Sequence, residues 1–283
     1  MKVAILGTEN SHAKAFAELI QGNPKYADIE LVGVYGYDDE ANKALTDAGL
    51  VSYVAKDPHE FLGKVDGILC TARHGDHHYE YALPYIQTGV PCFIDKPFAV
   101  KEEYVNEMLD TAQAKGTLLC GGSSLKFMDE SKDVSTFVKE NTITSGYVCA
   151  PINMVNPYAG FYFYAEHLVA IMLSVFGENV KSVTAHCPDE SKNRLSVCFD
   201  YGDYDVAGMY SSSYTYACGA FSDKEQIHRT AGDIHYCYER ELDEFVQMVK
   251  TRKMPNTYKQ LALPAKILRA IEQSYKQGKE IAL

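Results

Sequence analysis

Lys96 follows a short apolar run, Val90-Pro91-Cys92-Phe93-Ile94, then Asp95, and is followed at once by Pro97. Such a run, rich in β-branched and aromatic residues, reads as a buried strand. Pro97 stops it from continuing. The lysine is thereby set at the carboxyl end of a strand, the edge where open α/β sheets bind ligands. Elsewhere a lysine would be one more solvated surface cation. A second candidate is His167, inside the strongly apolar stretch Ala165–Phe176. An imidazole there is either an acid–base group or a hydrogen-bonded core residue.

A third group of residues opens the chain. Lys2–Leu6 reads as a strand, Gly7 as a turn, and His12–Ile20 as a helix with Ala13, Phe16, Ala17 and Ile20 on one face. This is the opening of a dinucleotide-binding fold. Its fingerprint, G-x-G-x-x-G, lays a pyrophosphate against backbone N–H groups at a helix N-terminus. Here the segment reads Gly7-Thr8-Glu9-Asn10-Ser11-His12, so Glu9 takes the middle glycine position and His12 the third. A carboxylate about 5 Å from a phosphate costs about 3 kcal/mol at an effective dielectric of 20. Screening removes most of that if Glu9 points to solvent. Thr8, Asn10 and Ser11 are candidate phosphate donors, and Asn10 or Ser11 equally suits a helix cap. A protonated His12 would offset Glu9.

The second strand, Glu30–Val34, leads into Tyr35-Gly36-Tyr37-Asp38-Asp39. Gly36 stands where an acid would hold a ribose 2′-hydroxyl, and no arginine follows to meet a 2′-phosphate. Asp38 either serves the ribose or caps the next helix. The cofactor reads as NAD or NADP, without discrimination.

The elements that position these groups alternate. Strands fall at Asp66–Thr71, Val90–Asp95 and Thr117–Gly121; helices fall at Glu40–Ala48, His78–Gln87 and Lys101–Ala114, and Asp57-Pro58-His59-Glu60 reads as a further helix start. This rhythm predicts a Rossmann-type, doubly wound parallel sheet over residues 1–122. After Gly121-Gly122 the strand-like runs lengthen: Tyr147–Ala150, Val180–Cys187, Leu195–Tyr201 and Asp205–Ala217. Amphipathic helices follow at Glu241–Lys250 and Pro264–Gln277. Residues 123–283 are therefore expected to form an α+β domain with a largely antiparallel open sheet. Tyr210, Tyr214 and Tyr216 are expected on one strand face, as core or interface packing.

The formal net charge of −11 over 283 residues opposes nucleic acid and anionic membranes as partners. Eight scattered cysteines without a Cys-x-x-Cys pair read as reduced thiols of a cytoplasmic protein. His74-Gly75-Asp76-His77-His78 fits no metal-ligand spacing with a mechanism, so no metal is expected.

Asp95-Lys96-Pro97-Phe98-Ala99 resembles the Glu-Lys-Pro motif of the Gfo/Idh/MocA family, which includes glucose-fructose oxidoreductase and inositol dehydrogenase. Thr71 through His78 resembles the family's Thr-Pro-Asn-x-x-His segment with residues inserted. Gly121 through Phe127 resembles the crossover into the second domain, and the helix with His167 resembles the catalytic helix. The resemblance implies hydride transfer between a nicotinamide and a sugar, polyol or related carbonyl compound. It implies Lys96 beside nicotinamide and substrate, where a neighbouring cation favours the neutral amine. It also implies His167 as the acid–base. Gly7, Thr8, Asn10, Ser11, Tyr37, Thr71, Arg73, His78, Asp95 and Lys96 would contact the cofactor, and Lys96, Tyr162, Tyr164 and His167 the substrate. Phe163 stands where the family often has an aspartate; Tyr162 or Tyr164 would then relay a proton. A homo-oligomer, dimer or tetramer, is implied. The alternative is a relative that has lost chemistry and binds a nucleotide or sugar as a sensor or partner subunit.

Overall fold

The alternation of apolar runs and amphipathic stretches in the first part of the chain becomes strand and helix in turn in the computed structural model, which describes Met1–Leu283. The elements are β1 (Lys2–Leu6), α1 (Ser11–Gly22), β2 (Glu30–Tyr35), α2 (Asp39–Asp47), β3 (Gly67–Cys70), α3 (Gly75–Gln87), β4 (Cys92–Asp95), α4 (Glu102–Lys115) and β5 (Leu119–Gly122). The five strands are parallel and ordered β2-β1-β3-β4-β5. Val3, Ile5, Leu69, Phe93 and Cys120 share one core with Phe16 and Ile20 of α1. The Phe16 and Phe93 rings meet edge to face at 5.2 Å. The alternate strand residues Ala4, Leu6, Ile68, Cys70 and Ile94 are buried too, as a parallel sheet covered on both faces requires.

The expected helix at Asp57 does not form. Asp57 accepts a hydrogen bond from the His59 amide and Glu60 closes back on the amides of Lys56 and Asp57. Only i→i+3 turns follow, and Gly63 at φ 71° ends them. The capping signal was real, but the segment behind it was too short to propagate.

The later part holds α5 (Asp129–Glu140), β6 (Ile143–Pro151), α6 (Tyr162–Phe176), β7 (Ser182–Asp189), β8 (Arg194–Asp200), β9 (Asp205–Ser211), β10 (Ala217–Ser222), β11 (Gln226–Thr230), α7 (Tyr236–Thr251), α8 (Tyr258–Gln277) and β12 (Ile281–Ala282). Seven strands form one sheet, ordered β11-β10-β6-β9-β8-β7-β12, antiparallel throughout except for β6 with β9. In β8 and β9 buried and exposed residues alternate. Tyr210 on the buried face donates to the Ala165 carbonyl of α6 at 2.7 Å. The expected strand Asp205–Ala217 stops at Ser211 as β9, and β10 begins only at Ala217. Tyr210 and Tyr216 are buried while Tyr214 is exposed, so the three tyrosines do not share a strand face. No helix is long and apolar enough to cross a membrane.

The chain divides into two compact units, Met1–Gly122 with Tyr238–Ala262, and Ser123–Cys237 with Leu263–Leu283. Residues 238–262, expected in the second domain, thus belong to the first unit. The reason is apolar: Leu242, Phe245, Val246 and Met248 of α7 lie in the same core as Val3, Ile5 and Phe16. Phe245 is fully buried there. Phe245→Ala is expected to destabilise the first unit by about 3–5 kcal/mol, the cost of a large core truncation. Denaturant unfolding followed by circular dichroism measures this, and a loss under about 1 kcal/mol would place α7 outside that core.

Candidate active site

The β1–α1 turn is set by Gly7. Its φ is 98°, and a Cβ there would lie 2.3 Å from the Ala72 amide nitrogen. Only glycine meets both demands. Thr71 locks the approach by donating to the Gly7 carbonyl at 2.7 Å. The tight turn and close strand approach of a dinucleotide cradle are therefore present at the N-terminus of α1, whose first turn carries no acidic residue.

Buried side chains hold the turn. Thr8 donates to Asn42 Oδ1 at 2.7 Å, and Asn42 donates to the Gly36 carbonyl at 2.8 Å. A Cβ on Gly36 would sit 1.9 Å from the Thr8 hydroxyl. This explains the missing ribose acid: Thr8 fills its place. Asp38 caps α2 through the amides of Glu40 and Ala41 at 3.0 and 3.1 Å. Tyr37 is exposed, with its ring 5.4 Å from that of His77. Ser11 shares a hydrogen bond with the Tyr238 hydroxyl at 3.2 Å.

Glu9 is turned inward and not to solvent. It is 9 % exposed and accepts a hydrogen bond from the Arg73 amide at 2.8 Å. Its second oxygen is buried without a hydrogen-bond partner. A carboxylate thus stands at the mouth of the cradle. The backbone of the turn suits a dinucleotide's pyrophosphate, and Glu9 adds a buried negative charge beside it.

Below the cradle lies a buried charge cluster. Asp95, at the end of β4, accepts from Asn10 Nδ2 at 2.7 Å and from the Lys96 amide at 2.6 Å. His12 bridges two carboxylates, with Nδ1 3.3 Å from Asp95 and Nε2 3.1 Å from Glu241 of α7. Asp95 and Glu241 are fully buried and Lys96 is 4 % exposed. Burial alone would lower the His12 pKa. Asp95 and Glu241 outweigh it and hold the imidazolium above its ordinary value, with Lys96 opposing. The Lys96–Pro97 peptide is cis. His78, fully buried, places its ring nitrogens 2.9 Å from the Pro97 and Ala72 carbonyls. Burial pushes its pKa down. His78 lies between the turn after β3 and the loop after β4, and the single N–H of its neutral ring donates to one of the two carbonyls.

In the second unit, α6 begins at Tyr162, a turn earlier than the apolar pattern suggested. His167 is buried and its Nδ1 shares a hydrogen bond with the Ser123 hydroxyl at 2.7 Å. Ser123 also accepts from the Leu125 amide. The Tyr164 ring lies 5.4 Å from the imidazole and the Tyr216 ring 5.9 Å. Tyr162 turns elsewhere and donates to Glu272 of α8 at 2.8 Å. Sequence reasoning missed Asn42, Ser123 and Glu241. Only Ser123, in the segment after Gly121-Gly122, carried any signal.

A glycine turn at the carboxyl end of a central parallel strand, opening into a helix, is the arrangement of a Rossmann-type unit. Residues 1–122 match the model of the Gfo/Idh/MocA oxidoreductase family, NAD-binding Rossmann fold. The chain is similar to inositol 2-dehydrogenase of Azotobacter vinelandii, 34% identical over 83 residues, which are 29% of this chain and 24% of that enzyme. The match thus spans about a quarter of the relative's length. By structure it resembles GenD2 from gentamicin A biosynthesis in complex with NAD, at TM-score 0.85 and 15% identity, covering 100% of this chain and 96% of that one. It also resembles myo-inositol dehydrogenase of Lactobacillus casei in complex with NAD(H) and myo-inositol, at TM-score 0.83 and 14% identity, with 100% and 96% covered. At these identities the likeness establishes the fold.

Proposed function

We propose that the chain is an NAD-dependent dehydrogenase of a polyol or related sugar-like alcohol. The observation that carries this reading is Lys96: an ammonium 4 % exposed, at the carboxyl end of a parallel strand, in a unit whose Gly7 turn keeps the cradle geometry. The reading is supported by the family match over residues 1–122 and by the likeness to an inositol dehydrogenase. NAD, when bound, supplies the hydride acceptor. Its phosphates would rest on the backbone from Gly7 to Ser11, and its adenosine end would lie beside the exposed Tyr37, with Thr71, Arg73 and His78 shaping the cradle. Three acids, Asp38, Asp39 and Glu40, follow Tyr37 without an arginine, which favours the 2′-hydroxyl of NAD over the 2′-phosphate of NADP.

Lys96 would orient a substrate hydroxyl and exchange its proton. His167 would serve as acid–base: Ser123 holds Nδ1 and fixes the ring, which assigns the transfer to Nε2. Tyr164, at ring contact with His167, is the better of the two relay tyrosines, because Tyr162 is committed to Glu272. The exposed face of the seven-stranded sheet, where Met209 is 47 % exposed, would pair copies into a dimer or tetramer. Eight free cysteines suit the reducing cytoplasm.

The inward Glu9 favours a second reading, a sensor or partner subunit with weakened cofactor affinity. A fluorescence titration with NADH, joined to an assay of NAD reduction by inositols, separates the two. The dehydrogenase predicts saturable binding in the micromolar range and turnover. No binding at millimolar NADH would sink it.

A further inference from the structure

The third fingerprint position is normally glycine so that helix and strand pack closely. Here an imidazole fills it, and the surroundings are built for its charge. His12 lies between Asp95 of β4 and Glu241 of α7, both fully buried. The groups that face it are few. Tyr238 of α7 presents its ring edge at 4.7 Å and Phe16 of α1 at 5.8 Å. Lys96 acts on it through space. His78 of α3 feels the same Asp95 and Lys96 charges from its own buried position. Two buried carboxylates and two buried cations therefore balance. Asp95 is the hinge of the arrangement: one of its oxygens receives Asn10 of the phosphate loop and the other the Lys96 amide.

We propose that His12 is a positioning residue for Lys96, acting through Asp95, with Glu241 as its counter-charge. Without the imidazolium, Asp95 and Glu241 repel each other across the gap. The carboxylate that seats both Asn10 and Lys96 then loses its fixed orientation. The cluster also gains a net negative charge beside Lys96. Misplacement of a catalytic group by about 1 Å costs about a hundredfold in rate.

The kinetic half of this inference rests on the dehydrogenase reading; the electrostatic half does not. NMR titration of the His12 ring needs no substrate. Lys96→Met is expected to raise the His12 midpoint by about one pH unit, and Glu241→Gln to lower it. His12→Gln is expected to reduce kcat by about 10- to 100-fold, with the KM for substrate within about threefold. The double variant His12→Gln/Glu241→Gln restores charge balance and should recover most of kcat. A packing role for His12 predicts the opposite, a double variant no better than the single one. An unchanged His12 midpoint in Lys96→Met would overturn the coupling even if His12→Gln failed to fold. Coupled titrations in a protein that oxidises no polyol would retire the dehydrogenase reading and leave the cluster standing.

Discussion

Lys96→Ala is expected to lower kcat/KM for polyol oxidation by about a thousandfold, within the range spanned by general acid–base groups, while leaving NADH affinity within about threefold. The ammonium is almost fully buried at the end of β4, and its backbone amide is held by Asp95 at 2.6 Å. A lysine so placed is not a surface cation with many substitutes nearby. On the proposed reading the β1–α1 backbone would meet the cofactor phosphates, so their binding would not depend on this side chain. Lys96→Arg should not rescue turnover, because a guanidinium remains protonated and cannot exchange a proton near neutral pH. Steady-state NADH production with a panel of inositols reads the rate, and quenching or enhancement of NADH fluorescence reads the affinity. Turnover in Lys96→Ala within tenfold of the parent would remove Lys96 from the chemistry. A parallel loss of NADH binding would make it a cofactor residue instead.

The sheet of the first unit was legible because its strands are apolar runs punctuated by glycine and proline, signals that survive without tertiary context. Lys96 was legible for the same reason: Pro97 marks the strand end. Helix α5 was not. Its buried residues are Ser131, Val134 and Ser135, so the inner face is mostly small and polar and leaves no apolar period to read. The membership of α7 was hidden differently. Its apolar stripe was plain, but periodicity says that a face is buried and not against what. Glu241 was the hardest case. A glutamate in a helix is ordinarily a surface residue, and its partner His12 lies 229 positions away, a separation (241 less 12) that only folding closes. Gly36 shows the reverse situation. The missing acid was visible in the sequence, yet its cause, the Thr8 hydroxyl at the place of a side chain, needed coordinates.

Glu9→Gly is expected to tighten NADH binding by about tenfold to a hundredfold. In the native chain the carboxylate lies inside the cradle, accepting the Arg73 amide at 2.8 Å, with its other oxygen buried and unpaired. Two costs attend the arrival of a pyrophosphate. Phosphate and carboxylate repel by about 3 kcal/mol at about 5 Å and an effective dielectric of 20. Swinging Glu9 out avoids most of that but gives up a charge-assisted hydrogen bond, about 1.5–3 kcal/mol. The smaller of the two sets the penalty, and glycine removes both. Position 9 also regains the bare backbone that lets a pyrophosphate approach. Glu9→Gln discriminates between the charge and the volume: the amide keeps the size and loses the repulsion, so it should recover most of the gain if charge dominates. The contrast should weaken in high salt once Glu9 has turned into solvent. Isothermal titration with NADH across the three proteins measures it. Equal affinities would show that Glu9 already lies clear of the phosphates in solution. Weaker binding in Glu9→Gly would show that the carboxylate holds the Arg73 turn in the form the cofactor needs.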